Sequence, residues 1–323
     1  MIELRVTEDS SGVRLDKFLR KKLDQVPVSH LFKMIRTKKV RVNGARAQPE
    51  QPLQAGDVIS IRGEEERLLS PVSDRRSPTQ LARPPALDLR QLRILLEDDW
   101  MMAIDKPSGM AVHPGSGIAG GTVVDYVRGY LGPKAVRNDF SASPAHRLDR
   151  ETSGVLLVAK RRPAMVHFTD VFTRGTAKKR YLALVKGRMP KNKGTIDLPL
   201  AERQQTARSR EIRGVNMQSA VTRYEVVRQG SECALLACTI ETGRTHQIRR
   251  HLAAIGHPVA GDRRYGDFGF NREAKARWNL KRLFLHAERI EFPHPQHGRR
   301  VIVEAALPPE LHDVLRKAAL PYP

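Results

Sequence analysis

Apolar residues recur along the first part of this chain at helical spacing. Leu15, Phe18, Leu19 and Leu23 form one stripe, and Leu31, Met34 and Ile35 form a second. The spacing predicts two short helices, separated by Val26-Pro27-Val28, with Ser29 capping the second. The rhythm then changes to period two in Val40-Arg41-Val42, which meets Asn43-Gly44, a hairpin-type turn. Gly56-Asp57 leads into a closing strand over 58–61. Residues 63–90 show no period. They hold Glu64-Glu65-Glu66, then Pro71, Pro78, Pro84 and Pro85, and predict a semi-flexible tether.

From residue 91 onward strand patterns dominate. Apolar or alternating runs over 92–96, 100–104, 155–159, 178–187, 221–227, 234–240, 282–287 and 301–303 predict strands. Helices are expected from Pro163, with Ala164, Met165, Phe168, Val171 and Phe172 inward and Gly175 at the end. Another is expected from a Thr245 cap, with Ile248, Leu252 and Ile255 inward and Gly256 closing. Pro308 opens a last one. The run 106–115 is too rich in Pro and Gly for a helix and reads as a loop. The chain divides into a small basic module over 1–62, a linker over 63–90 and a main domain over 91–323.

Composition narrows the partners. The 323 residues carry a formal net charge of +22, which points to nucleic acid or an anionic membrane surface. Between Arg14 and Arg46, eleven Lys or Arg stand against two Asp. Arg14, Lys17, Arg36, Lys38, Lys39 and Arg41 on this segment are candidate phosphate contacts. Residues 188–218 are basic too, and read as a hairpin with an exposed excursion. No apolar run reaches 18 residues, so no membrane helix and no membrane partner are expected. The first residues, Met1-Ile2-Glu3-Leu4-Arg5, lack a signal-peptide core. Cys233 and Cys238 alone make neither a zinc site nor a disulfide framework. His246 stands five residues from His251 and eleven from His257, which does not match a helical ligand pair. A cytoplasmic, reduced, metal-free protein is expected.

The chemistry is expected in Ala145-His146-Arg147-Leu148-Asp149-Arg150-Glu151-Thr152-Ser153-Gly154, which leads into the apolar run 155–159. Thr152, Ser153 and Gly154 form turns, so Asp149 sits on a tight loop entering rigid sheet. Arg147, Arg150 or a distant arginine would keep it as the carboxylate. That form suits a nucleophile or a cation stabiliser better than a general acid. Charge pattern alone fits a surface Asp–Arg pair better than a reactive group.

The string His-Arg-Leu-Asp-Arg-Glu-Thr-Ser-Gly over 146–154 resembles the signature of the RluA-type RNA pseudouridine synthases. Lys106-Pro107-Ser108-Gly109 with His113-Pro114 is similar to that family's first motif. Lys179-Arg180-Tyr181 leading into Ala183-Leu184-Val185, and Thr242-Gly243-Arg244-Thr245-His246-Gln247-Ile248-Arg249, are similar to later ones. Residues 13–62 resemble an S4 RNA-binding domain, with Lys38-Lys39 where that family often has Lys-Gly. The resemblance implies an α+β fold: a small S4 domain, plus a catalytic domain on a mixed, mainly antiparallel sheet with flanking helices.

It also implies roles. Asp149 would be the essential catalytic group, and Tyr181 would stack on the flipped base and take the late proton. Arg244 would pair with Asp149, Arg147 would fill the space left by the base, and Lys179 would support the site. Lys106 and His113 would shape the pocket. The implied activity is isomerisation of uridine to pseudouridine in RNA, by a monomer and without a cofactor. Val26-Pro27-Val28-Ser29 and Arg264-Tyr265-Gly266-Asp267 resemble the C type that acts on large-subunit 23S ribosomal RNA. Alternatives are a synthase for another RNA, a non-catalytic ribosome-assembly protein on the same fold, and a glycosidase. The last lacks a second well-placed acid here.

Overall fold

The computed structural model describes residues 2–23, 26, 28–62, 92–114, 120–137, 140–201 and 217–322. They form two compact units. One draws on Met1–Ala86, Leu131–Ala142 and Lys160–Pro163. The other draws on Leu87–Tyr130, Ser143–Ala159 and Ala164–Pro323. The expected linker over 63–90 and most of the excursion after residue 201 lie outside the described residues.

The first unit holds β1 (Ile2–Arg5), α1 (Leu15–Lys22), α2 (Val28–Arg36), β2 (Val40–Val42), β3 (Ala45–Arg46) and β4 (Val58–Ile61). Its sheet runs β1-β4-β2-β3, and every pairing is antiparallel. Both predicted stripes face one core: Leu15, Phe18, Leu19 and Leu23 meet Leu31, Met34 and Ile35. Helix α2 starts at Val28, so Ser29 lies inside it rather than capping it. The turn at Asn43-Gly44 has positive φ at both residues (50° and 77°), as a two-residue hairpin requires. Strand β1 was not anticipated, although Ile2-Glu3-Leu4-Arg5 alternates apolar and polar residues.

Helix α2 ends in a left-handed residue. Lys38 has φ 60°, its N–H bonds Ile35 O at 3.1 Å, and Lys39 N–H bonds Met34 O at 2.9 Å. This is a Schellman ending with lysine in the place glycine usually holds.

The second unit is built on one ten-stranded sheet. Its elements include β5 (Arg93–Glu97), β6 (Met101–Lys106), β9 (Ser143–Pro144), β10 (Ser153–Ala159), β11 (Lys178–Lys186), β12 (Lys193–Asp197), β15 (Val221–Gln229), β16 (Cys233–Ile240), β17 (Leu285–Pro293) and β18 (Arg300–Glu304). Outside this sheet β13 (Leu200–Ala201) pairs with β14 (Met217–Gln218), and β7 (Val136–Arg137) pairs with β8 (Phe140–Ser141) in the segment Leu131–Ala142 that groups with the first unit. The main order is β12-β15-β16-β11-β17-β10-β6-β5, with β9 on β10 and β18 on β17. Among the described residues only β10 and β17 pair in parallel; the other ladders of this sheet are antiparallel. The mixed, mainly antiparallel sheet is therefore as expected.

Helices α3 (Val123–Leu131), α4 (Arg162–Thr173), α5 (Gln247–Ala254), α6 (Phe268–Trp278) and α7 (Pro309–Lys317) complete the described elements. Leu182, Leu184 and Leu235 of the sheet pack with Phe270, Trp278, Phe284, Leu311 and Leu315. The strand expected from Arg282 begins three residues later. Arg282 instead ties the loop to neighbouring groups, including Ser153 Oγ at 2.6 Å. No helix among the described residues is long and apolar enough to cross a membrane.

Strand β10 is buried over all seven residues, which explains why it reads as a continuous apolar run. At its start Gly154 faces Lys106 on one side and Ala287 on the other. Its φ is 112°, and a Cβ there would stand 2.2 Å from Ala287 O. Glycine is what lets the loop carrying Asp149 enter the sheet at this point.

Candidate active site

A cavity of about 550 Å³ lies where the loop before β10 meets β11 and the turn before α5. Arg147, Asp149, Lys179, Tyr181, Arg244, His246 and Arg249 all line it. Asp149, Tyr181, Arg244, Arg147 and Lys179, residues to which the resemblance gave roles, thus share one pocket.

The Asp149 loop is fixed from behind. His146 Nε2 accepts the Leu157 N–H at 3.1 Å, and its ring meets Phe172 edge-on at 5.1 Å. Burial, with Lys179 nearby, pushes this imidazole down to about 3, so it is a neutral acceptor. Lys106 is fully buried at the end of β6. Its Nζ donates to Pro107 O (2.8 Å), Met110 O (2.9 Å) and Arg150 O (3.1 Å). Burial, with Arg282 nearby, pushes the amine down to about 7 although Glu151, Asp149 and Asp105 oppose this, and its donors are spent on three carbonyls. Ser108 Oγ donates to Glu151 O at 2.8 Å, and Gly109 N–H to Arg150 O at 2.8 Å. The loop 106–110 therefore clamps the two residues after Asp149. His113 is exposed and does not line the cavity, contrary to expectation.

The partner of Asp149 is Arg249. Its Nη1 lies 3.1 Å from Asp149 Oδ2. The remaining edge of the guanidinium is taken by Asp262: Nε to Oδ2 at 2.7 Å and Nη2 to Oδ1 at 2.9 Å. Asp262 is itself buried, and its Oδ1 also accepts the N–H groups of Arg264 (2.8 Å) and Tyr265 (3.0 Å). Burial would raise its pKa, but these bonds outweigh it and hold Asp262 below the usual carboxylate range. One arginine thus joins the cavity carboxylate Asp149 to the buried carboxylate Asp262. Asp149 keeps 18% side-chain exposure and stays reachable from the cavity.

The expected ion pair from Arg244 is not formed. Arg244 is exposed at the cavity edge, and its Nε donates to Ser219 O at 3.2 Å. The reason is the turn. His246, not Thr245, precedes the helix, in a left-handed conformation with φ 54°. Gln247 braces that turn, its Oε1 accepting from Thr242 Oγ1 (2.7 Å) and Arg244 N–H (3.1 Å). Arg244 is left outside, and Arg249, in the first turn of α5, turns inward. His246 Nε2 stands 3.8 Å from Asp149 Oδ1, and its Nδ1 lies 3.1 Å from Tyr265 Oη. Burial lowers its pKa although Asp149 opposes this, so it is a neutral neighbour of the carboxylate.

Tyr181 sits on β11 at an irregularity in its pairing with β17, between Arg180 and Leu182. Such breaks re-aim side chains. The ring is buried in the cavity wall, and burial plus the Asp149 charge raise its pKa, so the phenol is protonated at neutral pH. Lys179 Nζ lies 5.5 Å from the Phe172 ring centre, and burial lowers its pKa.

Sequence reading missed Arg249, Asp262 and His246 as site residues. Arg249 had a signal, as the second arginine of the same motif. Asp262 had none beyond its place before Arg264-Tyr265-Gly266. The candidate RNA contacts of the first unit vary. Lys17, Arg36, Lys38 and Lys39 are exposed. Arg14 is engaged with Asp16 (3.0 Å) and Glu50 (3.5 Å), and Arg41 donates to Gly44 O at 2.9 Å.

Known proteins agree with this architecture. The family described as RNA pseudouridylate synthase matches residues 101–254, and the S4 domain family matches 13–59. The chain is 37% identical over 316 residues to the ribosomal large subunit pseudouridine synthase C of Pasteurella multocida, covering 97% of this chain and 92% of the relative. It is 38% identical to the protein of that name from Escherichia coli K12, covering 97% and 95%. Its fold is similar to that of human RNA pseudouridylate synthase domain containing 4, with a TM-score of 0.59 and 24% identity over 71% of this chain and 94% of that one. With the Asp149 loop, the cavity and an N-terminal S4 domain in place, the chain belongs to the RNA pseudouridine synthase family.

Proposed function

We propose that this protein converts specific uridines of large-subunit 23S ribosomal RNA into pseudouridine, in the cytoplasm and as a monomer. The relatives named for the large ribosomal subunit support the substrate class. The observation that carries the chemistry is Asp149, at the wall of an open cavity and paired with Arg249 at 3.1 Å.

The target uridine leaves the RNA stack, at a cost of a few kcal/mol, and enters the cavity. Arg147, exposed beside Asp149, occupies the space the base vacates. Asp149 acts as the N1–C1′ bond breaks. It either attacks C1′ or takes the C2′ proton to give a glycal. The uracil departs as a delocalised anion that stays bound, so no second acid is required. It turns, and C5 bonds to C1′ as the Asp149–C1′ ester bond breaks or, on the glycal route, as Asp149 returns its proton to C2′; the C5 proton then leaves to Tyr181 while N1 takes up a proton. Substrate and product are isomers with no change in oxidation level, so the reaction as written calls for no cofactor.

Mapping pseudouridine in large-subunit ribosomal RNA from cells with and without the protein tests this reading. Sites that vanish with the protein and return with it are expected. An unchanged pseudouridine pattern would contradict the substrate assignment.

A further inference from the structure

Helix α2 buries Leu31, Met34 and Ile35 in the core of the first unit. Phe32 departs from that pattern. It follows Leu31 directly, so its ring stands on the flank of the helix, and it is 41% exposed. A groove of about 720 Å³ opens beside it. Its floor is apolar, with Ile35, Ala47 and Pro49. Its rim is cationic, with Lys33, Arg36 and Arg46. Among the described residues no carboxylate lines it. All three cations are exposed, and among the described residues none of them makes an ion pair. Arg14, on the same unit, contrasts with them, being held by two acids.

This combination is selective. Phosphate needs cations but no aromatic ring. An apolar peptide needs the floor but gains nothing from three positive charges. An unpaired nucleotide uses both, since its base has a flat face and its backbone is anionic. We propose that Phe32 is a stacking platform for an unpaired base of RNA, with Lys33, Arg36 and Arg46 contacting the phosphates beside it. The proposal rests on the reading of the first unit as an RNA-binding domain, and adds to it a preference for unpaired nucleotides over uniform duplex. The groove shares no lining residue with the Asp149 cavity.

The test uses the full chain and two RNA probes: a blunt hairpin, and the same hairpin with a short single-stranded adenosine tail. Affinities are measured by fluorescence anisotropy across a salt series. Wild type is expected to prefer the tailed RNA. Phe32→Ala is expected to weaken tailed binding by roughly 5- to 150-fold, the range for losing one base–aromatic stack. Its blunt-hairpin affinity and its salt slope should stay as in wild type, because no charge is removed. Phe32→Trp should retain the preference. A Phe32→Ala protein that binds the tailed RNA like wild type, or that loses both RNAs equally, would overturn the platform without overturning the reading of the first unit as RNA-binding. Wild type that binds neither RNA in a salt-dependent way would overturn the underlying reading and the platform with it.

Discussion

Arg249 is gripped from two sides, and its grip on Asp262 decides where it can reach. Two of its nitrogens are fixed by Asp262, which leaves Nη1 for Asp149. Arg249→Ala should misplace Asp149 and cut turnover by on the order of 100-fold, the effect of an ångström-scale error in a reacting group. Arg244→Ala should spare the Asp149 pairing and act mainly on the apparent affinity for RNA. Steady-state kinetics on both variants separates them, and equal loss of turnover would contradict the geometry.

Asp262→Asn keeps the oxygen that accepts from the backbone but turns an amide donor towards Arg249. Turnover should fall roughly 10- to 100-fold with the KM for RNA unchanged, and an unaltered turnover would remove Asp262 from the site. At Tyr181 the sign of the pH effect follows from its raised pKa. Only the phenolate can accept the C5 proton, and its fraction grows tenfold per pH unit below the pKa. Where C5–H cleavage limits the rate, as a deuterium isotope effect would report, turnover should climb between pH 7 and 9. A flat profile would restrict Tyr181 to stacking. The sequence offered Arg244 and Arg249 five residues apart in one motif. A left-handed histidine between them made the choice, and nothing in the pattern marks a non-glycine residue for that conformation.

Among the elements, strands with a strong period were legible, and those defined by partners were not. The runs at 155–159 and 178–187 announced β10 and β11, because burial there selects apolar and β-branched residues. The parallel pairing of β10 with β17 depends on contacts far apart in sequence. Helix α2 was legible through its stripe, but its end was not. Lys38 adopts there a backbone shape that disfavours residues with a Cβ. Lys38→Gly should therefore stabilise the first unit by about 1 kcal/mol, read as a higher urea midpoint. Unchanged or lower stability would mean that the lysine side chain offsets the strain.

For the whole molecule, charge and core divide the labour. The excess of basic residues over 14–46 foretold a nucleic-acid partner, and the apolar periodicities foretold the helices and strands around it. The boundary of the units was less visible, because Leu131–Ala142 and Lys160–Pro163 group with the first unit while their neighbours in sequence belong to the second. If the first unit binds RNA and Asp149 of the second does the chemistry, as proposed, the two functions should be separable. Asp149→Asn tests this most directly, since it removes one charge and leaves the shape of the cavity. With RNA affinity and pseudouridine formation measured on the same preparation, the variant should bind RNA within a few-fold of wild type and form no pseudouridine. Pseudouridine formation at near-normal rate by Asp149→Asn would contradict the account.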